Sequence, residues 1–204
     1  MYKQFYKMVL AGSFLMLVSG CASKLNSNVV SFHEGDLPHG ETIAVVPLDE
    51  GKQNSLEFEH YAELIEKSLS KIGYVPVDDP READLLAKVD YSVSEGRVET
   101  RTRMEPPRGY AHYHFYYGRY YDPFYFGYYD RWTPDVRSYT VYDRTLKMNI
   151  AGADSEEVLF EGRVRSSGRE NEIAEIMPYL VTAMFTNFPG ESGVTKVVTI
   201  EKDR

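Results

Sequence analysis

Apolar and polar side chains alternate most regularly over residues 84–99. Leu85, Ala87, Val89, Tyr91 and Val93 fall in one register, and Leu86, Lys88, Asp90, Ser92 and Ser94 in the other. A period of two sends successive side chains to opposite sides of a strand, so the stretch predicts a sheet packed on one face and mostly wet on the other. A wet face leaves the helices to one side of the sheet. Beyond Gly96 the alternation passes into charge (RVETRTR), as in a strand leaving the core. Residues 42–48 (TIAVVPL) are continuously apolar instead, the pattern of a strand covered on both faces. Residues 74–77 read as a short strand, and Asp78-Asp79-Pro80 as the turn after it.

Two stretches carry helical spacing. Asn54 with Glu57 resembles a capping box, and the helix behind it brings Tyr61, Leu64, Ile65, Leu69 and Ile72 onto one stripe that Gly73 stops. Near the C-terminus Ser167 and Glu170 fit S-x-x-E, followed by Ile173, Ile176, Met177, Leu180, Val181, Met184 and Phe188 at intervals of three and four. Pro178 inside that pattern predicts a kink or a first turn that starts late, and Pro189-Gly190 the end. Between the helices, residues 136–167 read as a hairpin of two long strands, and residues 194–200 (VTKVVTI) as a last strand. The expected fold is α+β: a mainly antiparallel sheet of five or six strands with two amphipathic helices packed on one face. A long Tyr-rich loop is inserted between core strands.

That loop is unlike the rest. Residues 105–135 contain no Leu, Ile or Val, while Tyr110 to Trp132 hold nine Tyr, three Phe and one Trp. Tyr and Trp combine a flat apolar body with a hydrogen-bonding tip, which suits sugar rings, peptides and the membrane interface. Tyr110, His112, His114, Tyr116, Tyr117, Tyr120, Tyr121, Tyr128, Tyr129 and Trp132 are therefore the candidate ligand-binding residues. A surface loop or local packing over the sheet accounts for the same composition. His112 and His114 with Asp122 or Asp130 fall short of the usual zinc sets, so no metal or cofactor is expected.

The N-terminus fixes where the domain works. Lys3 and Lys7 precede an apolar run over residues 8–18, which is followed by Ser19, Gly20 and Cys21, the only cysteine of the chain. The run is shorter than the roughly 20 apolar residues of a spanning helix but suits a signal peptide. Leu17-Val18-Ser19-Gly20-Cys21 resembles a bacterial lipobox, whose cysteine is acylated and becomes the mature N-terminus; an ordinary secretory signal with an incidental cysteine is the alternative. The lipobox reading divides the chain into a signal peptide at 1–20, a lipidated N-terminus and tether at 21–41 in which residues 28–33 (NVVSFH) read as a short strand, and a single α+β domain at 42–204 with the aromatic insertion at 105–135. Ala22 stands where, in Gram-negative lipoproteins, Asp would retain the protein in the inner membrane. By resemblance this implies an outer-membrane anchor and a periplasmic domain.

Charge supports an acyl anchor over electrostatic docking. With 23 basic and 31 acidic residues the net charge is −8, and loss of Lys3 and Lys7 with the signal makes it −10. The charge argues against nucleic acid as a partner, since phosphates need clustered Lys and Arg. A single cysteine also excludes an internal disulfide.

The helix ending in Gly73-Tyr74, the ADLL strand, the TLKMNI–VLFEGRV hairpin and the closing IMPYLVTAMFTNFPG helix resemble the bacterial lipoprotein family known as domain of unknown function 4136, over roughly residues 42–190. The resemblance implies a small envelope lipoprotein and supplies no catalytic residue. Ile43 to Leu48 is also similar to the opening strand of small periplasmic modules in Tol-system and synthase-activating lipoproteins, which implies protein binding.

Catalytic motifs are incomplete. Gly190-Glu191-Ser192-Gly193 is one residue short of G-x-S-x-G and follows a helix. Gly35 to Gly40 has phosphate-loop spacing, but Glu41 stands where Lys is required. The acidic pairs Asp49-Glu50, Asp78-Asp79 and Glu156-Glu157 sit at turns, where solvation keeps both carboxylates alike. The expected function is a non-enzymatic binding or structural role in the envelope, with the membrane as partner through acylated Cys21 and an envelope protein or glycan as further partner. An unrecognised enzyme, or a glycan-binding protein with its site at the Tyr-rich loop, is the alternative.

Overall fold

The structure, a computed structural model, describes residues 23–35, 37–105 and 133–202. Its elements run β1 (Lys24–His33), β2 (Thr42–Pro47), α1 (Leu56–Lys71), β3 (Val75–Pro76), β4 (Leu85–Val93), β5 (Arg97–Glu105), β6 (Thr133–Gly152), β7 (Val158–Gly168), α2 (Ile173–Phe185) and β8 (Lys196–Glu201). Among the described residues the fold is α+β, with two α-helices and a mostly antiparallel sheet. The sheet has eight strands in place of the expected five or six, in the order β3-β2-β4-β6-β7-β1-β8, with β5 paired to β6 off that path. The chain divides into two compact units: residues 1–91, 145–166 and 174–204 in the first, 92–144 and 167–173 in the second.

In the first unit β4 follows the predicted alternation, with Leu85, Ala87, Val89 and Tyr91 buried. On β7 Phe160, Val164 and Ser166 are buried while Glu161, Arg163 and Arg165 are exposed, so one face is wet. Ile43 and the adjacent Ala44 of β2 are both buried, as the continuous apolar run requires. Strand β2 pairs in parallel with β3 and β4, and α1 is the crossover between β2 and β3. The core is closed by Ile65 and Leu69 of α1, Leu146, Met148 and Ile150 of β6, and Ile176, Met177 and Leu180 of α2. Helix α2 approaches β7 at Gly162, where a Cβ would lie 2.7 Å from Met184 Sδ and 2.7 Å from a Phe160 ring carbon.

Strand β1 lies between β7 and β8. It begins at Lys24, so residues 24–33 are strand where the sequence suggested a tether with a short strand over 28–33. The inward positions Leu25, Ser27 and Ser31 include two serines, which hides the alternation. Ser31 Oγ donates to the Pro189 carbonyl at 2.6 Å, and Ser166 Oγ on β7 donates to the Asn26 carbonyl at 2.9 Å. Hydroxyls satisfied in this way can be buried at little cost.

Both helix starts differ from the sequence reading. The N-cap of α1 is Ser55, whose hydroxyl accepts from Phe58 N at 3.4 Å, while Asn54 sits in the left-handed region at φ 64°. The helix buries Phe58 and Ala62 besides Tyr61, Ile65 and Leu69; Leu64 and Ile72 are only half-buried. Gly73 ends it as expected, at φ 105°. Ser167 caps nothing: it belongs to β7 and donates to Asp143 Oδ1 at 2.5 Å, and α2 starts at Ile173 with Pro178 in its interior.

The second unit contains the β5–β6 ladder, whose antiparallel register runs from Arg97↔Val141 to Glu105↔Thr133. The strands therefore extend into both ends of the predicted 105–135 insertion. The rest of that aromatic stretch, 106–132, lies outside the described residues, as do the signal and Cys21. The buried Arg144 directs Nη1 at the Glu170 carboxylate at 3.3 Å and at its backbone carbonyl at 3.2 Å. Arg97 bonds Asp143 at 2.6 Å, and Arg169 stacks over the Tyr139 ring at 4.6 Å.

Candidate functional site

The sequence-predicted site residues, Tyr110 to Trp132 and Cys21, all fall outside the described residues. The first unit carries a cavity that sequence reasoning missed. It measures about 130 Å³ and opens between β1, the β8 edge and the segment after α2. Its lining includes the apolar side chains of Phe160, Met184, Val194 and Val198, together with Ser31 and Pro189. The segment after α2 is held by pairs distant in sequence. Gly193 N donates to the Ser31 carbonyl at 2.7 Å, and His33 N donates to Ser192 Oγ at 3.1 Å. The two ring nitrogens of His33 lie 3.1 Å from the Gly35 carbonyl and 3.3 Å from the Gly190 carbonyl. The FPG sequence was the one available signal: α2 stops at Phe185, before the expected Pro189-Gly190 end, and Pro189 lines the cavity.

Its lining suits an apolar group the size of one side chain. The carboxylate of Glu191 and the ammonium of Lys196 are 3.8 Å apart at its rim and half or more exposed, a weak surface pair. The Ser31 hydroxyl proton is already given to Pro189. Among the described residues no three of His, Cys, Asp or Glu converge closely enough to hold a metal ion.

A second polar cluster in the first unit surrounds Asp90, on the β4 face that sequence reading left to solvent. Lys52 Nζ donates to Asp90 Oδ1 at 2.9 Å and to the Tyr91 carbonyl at 2.7 Å, and lies 4.0 Å from the Tyr91 ring centre. Lys147 reaches Asp90 Oδ2 at 3.3 Å. Burial pushes the Asp90 carboxyl up, but hydrogen bonds and charge from Lys52 and Lys147 outweigh it and hold the group below its ordinary value. Tyr61, edge-on to Tyr91 with ring centres 5.0 Å apart, donates to Glu57 at 2.9 Å. Burial, then the Glu57 bond, raises the Tyr61 phenol. Every polar group here is matched within the cluster, which makes it a clasp between the 50–52 turn, β4 and β6.

The clasp has a definite pH signature. A carboxyl depressed in the folded state stabilises fully above its unfolded value, about 3.9, and loses that contribution as pH falls through the folded value. Asp90→Asn is expected to cost about 1–2 kcal/mol at pH 7. The gap from wild type should close as pH drops below about 3.9. Urea titrations at several pH values measure this; a gap independent of pH would contradict the charge pairing.

The family model for the domain of unknown function DUF4136 matches residues 30–190. The chain belongs to this family. An uncharacterised protein of Zymomonas mobilis is 29% identical to this DUF4136 chain over 80 residues, 39% of this chain and 29% of that protein. Among solved structures, a PDZ domain protein from Parabacteroides distasonis aligns at 16% identity and a TM-score of 0.49, over 94% of this chain and 42% of that one. A DUF4136 family protein from Bacteroides thetaiotaomicron aligns at 17% identity and a TM-score of 0.40, over 79% and 95%. The DUF4136 chain thus spans less than a third of the Zymomonas relative, at 29%, and less than half of the PDZ domain protein, at 42%.

Proposed function

We propose that this DUF4136 protein is a lipid-anchored lipoprotein of the cell envelope whose domain acts by binding and not by catalysis. The observation that carries the reading is the N-terminal pattern: Lys3 and Lys7, a short apolar run, then Leu17-Val18-Ser19-Gly20-Cys21. No helix among the described residues is long and apolar enough to cross a membrane. The acyl groups on Cys21 supply the attachment; with Ala22 in place of a retaining Asp, the protein goes to the outer membrane, with the domain in the periplasm. The binding role is supported by the apolar cavity at the β8 edge, whose rim carboxylate and ammonium are paired with each other. The partners are an envelope protein or glycan, with the rings of Tyr110 to Trp132 as a second contact.

The ends of the β5–β6 ladder allow a clean test of the aromatic segment. Glu105 and Thr133 are directly opposite in the register, so Asn-Gly in place of residues 106–132 closes the hairpin with a two-residue turn. Pull-downs from envelope extracts and from purified peptidoglycan are expected to lose captured material with this variant while its unfolding transition is kept. Identical capture by the two proteins would remove the segment from the binding role.

A further inference from the structure

We infer that the edge of the first unit formed by the start of β1 and the end of β8 rests against the headgroup layer of the anchoring membrane. The inference rests on the lipid-anchored reading of Cys21 and adds the orientation of the unit on the bilayer. Only Ala22 separates Cys21 from Ser23, which is already tied into the sheet. Lys202 N donates to the Ser23 carbonyl at 2.8 Å, and Lys24 pairs with Glu201 in the antiparallel register. Consecutive Cα atoms are at most about 3.8 Å apart, so the acylated residue lies within roughly 8 Å of Ser23 whatever conformation the link adopts. A link of that length cannot hold the sheet clear of the headgroups, as a twenty-residue tether would.

The chemistry of this edge suits the headgroup layer. Lys24 and Glu201 are 3.8 Å apart, with side chains 61% and 71% exposed, a pair loose enough for Lys24 to exchange its partner for a phosphate. Lys202 Nζ lies 5.9 Å from the ring centre of Tyr179, a residue type favoured at membrane interfaces. The orientation also places the cavity. Val29 and Ser31, on its wall, lie five and seven residues along β1 from Lys24. At about 3.3 Å per residue they stand roughly 17 and 23 Å from the membrane-facing end, so the cavity samples ligands close to the bilayer.

The test uses the full acylated protein in phosphatidylethanolamine–phosphatidylglycerol vesicles that contain a nitroxide-headgroup lipid. A fluorophore is placed on Glu201→Cys or on Asp154→Cys; acylation occupies the sulfur of Cys21. Asp154 lies in the turn before β7, whose antiparallel register with β1 puts it at the far end of that strand, about 35 Å away. The Glu201→Cys label is expected to be quenched at least five-fold more than the Asp154→Cys label. Insertion of twenty Gly/Ser residues between Ala22 and Ser23, with a reach of about 25 Å, should bring the two within two-fold. Equal quenching with acyl groups confirmed on Cys21 by mass spectrometry would overturn the orientation and leave the anchor standing. A Cys21 without acyl mass would overturn the anchor itself, and the inference with it. An undiminished difference after the insertion would overturn the short link as its cause.

Discussion

Phe160→Ala is expected to cost about 3–5 kcal/mol, the largest loss from any one side chain considered. Phe160 is 1% exposed on β7, and its ring centre is 4.7 Å from that of Phe188. Truncation removes the transfer energy of a buried ring and an aromatic pair worth about 0.5–1.5 kcal/mol. The space left cannot collapse easily, because Gly162 already lets the Met184 side chain of α2 pack tightly against the sheet beside the ring. The vacated volume would merge with the cavity of about 130 Å³ that Phe160 lines. Urea unfolding followed by circular dichroism measures the loss. A cost under about 1 kcal/mol would mean that β7 and α2 do not pack as described.

Cys21→Ser should abolish membrane association. The substitution leaves a hydroxyl that the lipid-transfer chemistry does not use, so the product is expected as unprocessed precursor or in the soluble fraction. On the proposed acyl anchor the effect is expected to be close to all-or-none. Without residues 1–20 the net charge would be −10, the value of −8 less the two lysines, so net charge does not draw the protein to anionic lipid. One saturated chain gives an association constant of only about 10⁴ M⁻¹, whereas two or more make attachment stable; all are lost with the sulfur. Fractionation and metabolic lipid labelling read the outcome. A lipid-labelled membrane species that persists in Cys21→Ser would refute the anchor and, with it, the orientation of the β1–β8 edge.

Side-chain periodicity made β4 and the two helices legible. Leu85, Ala87, Val89 and Tyr91 are buried as their alternation requires, and Ile176, Met177, Leu180, Val181 and Met184 lie inward as their three-and-four spacing requires. Gly73 stops α1 where it was expected to, because its φ of 105° is one that other residues rarely adopt. The caps were less legible. S-x-x-E and N-x-x-E are short patterns that also occur by chance, and neither Asn54 nor Ser167 turned out to cap a helix. The polar clusters were hidden for a related reason: Asp90 looks solvated on its own strand, and only the arrival of Lys52 and Lys147 from other elements changes its surroundings.

The chain by itself determined its α+β class, its helices, its most regular strand and its family, because each depends on neighbours a few residues apart. Tertiary structure alone decided that the sheet has eight strands, that β2 and β4 run parallel, and that β1 starts at Lys24 and lies between β7 and β8. Those outcomes depend on partners far along the chain. Ser31 can face inward because Pro189, 158 residues away, supplies the carbonyl that takes its proton, and no local pattern announces a hydrogen bond made at that distance.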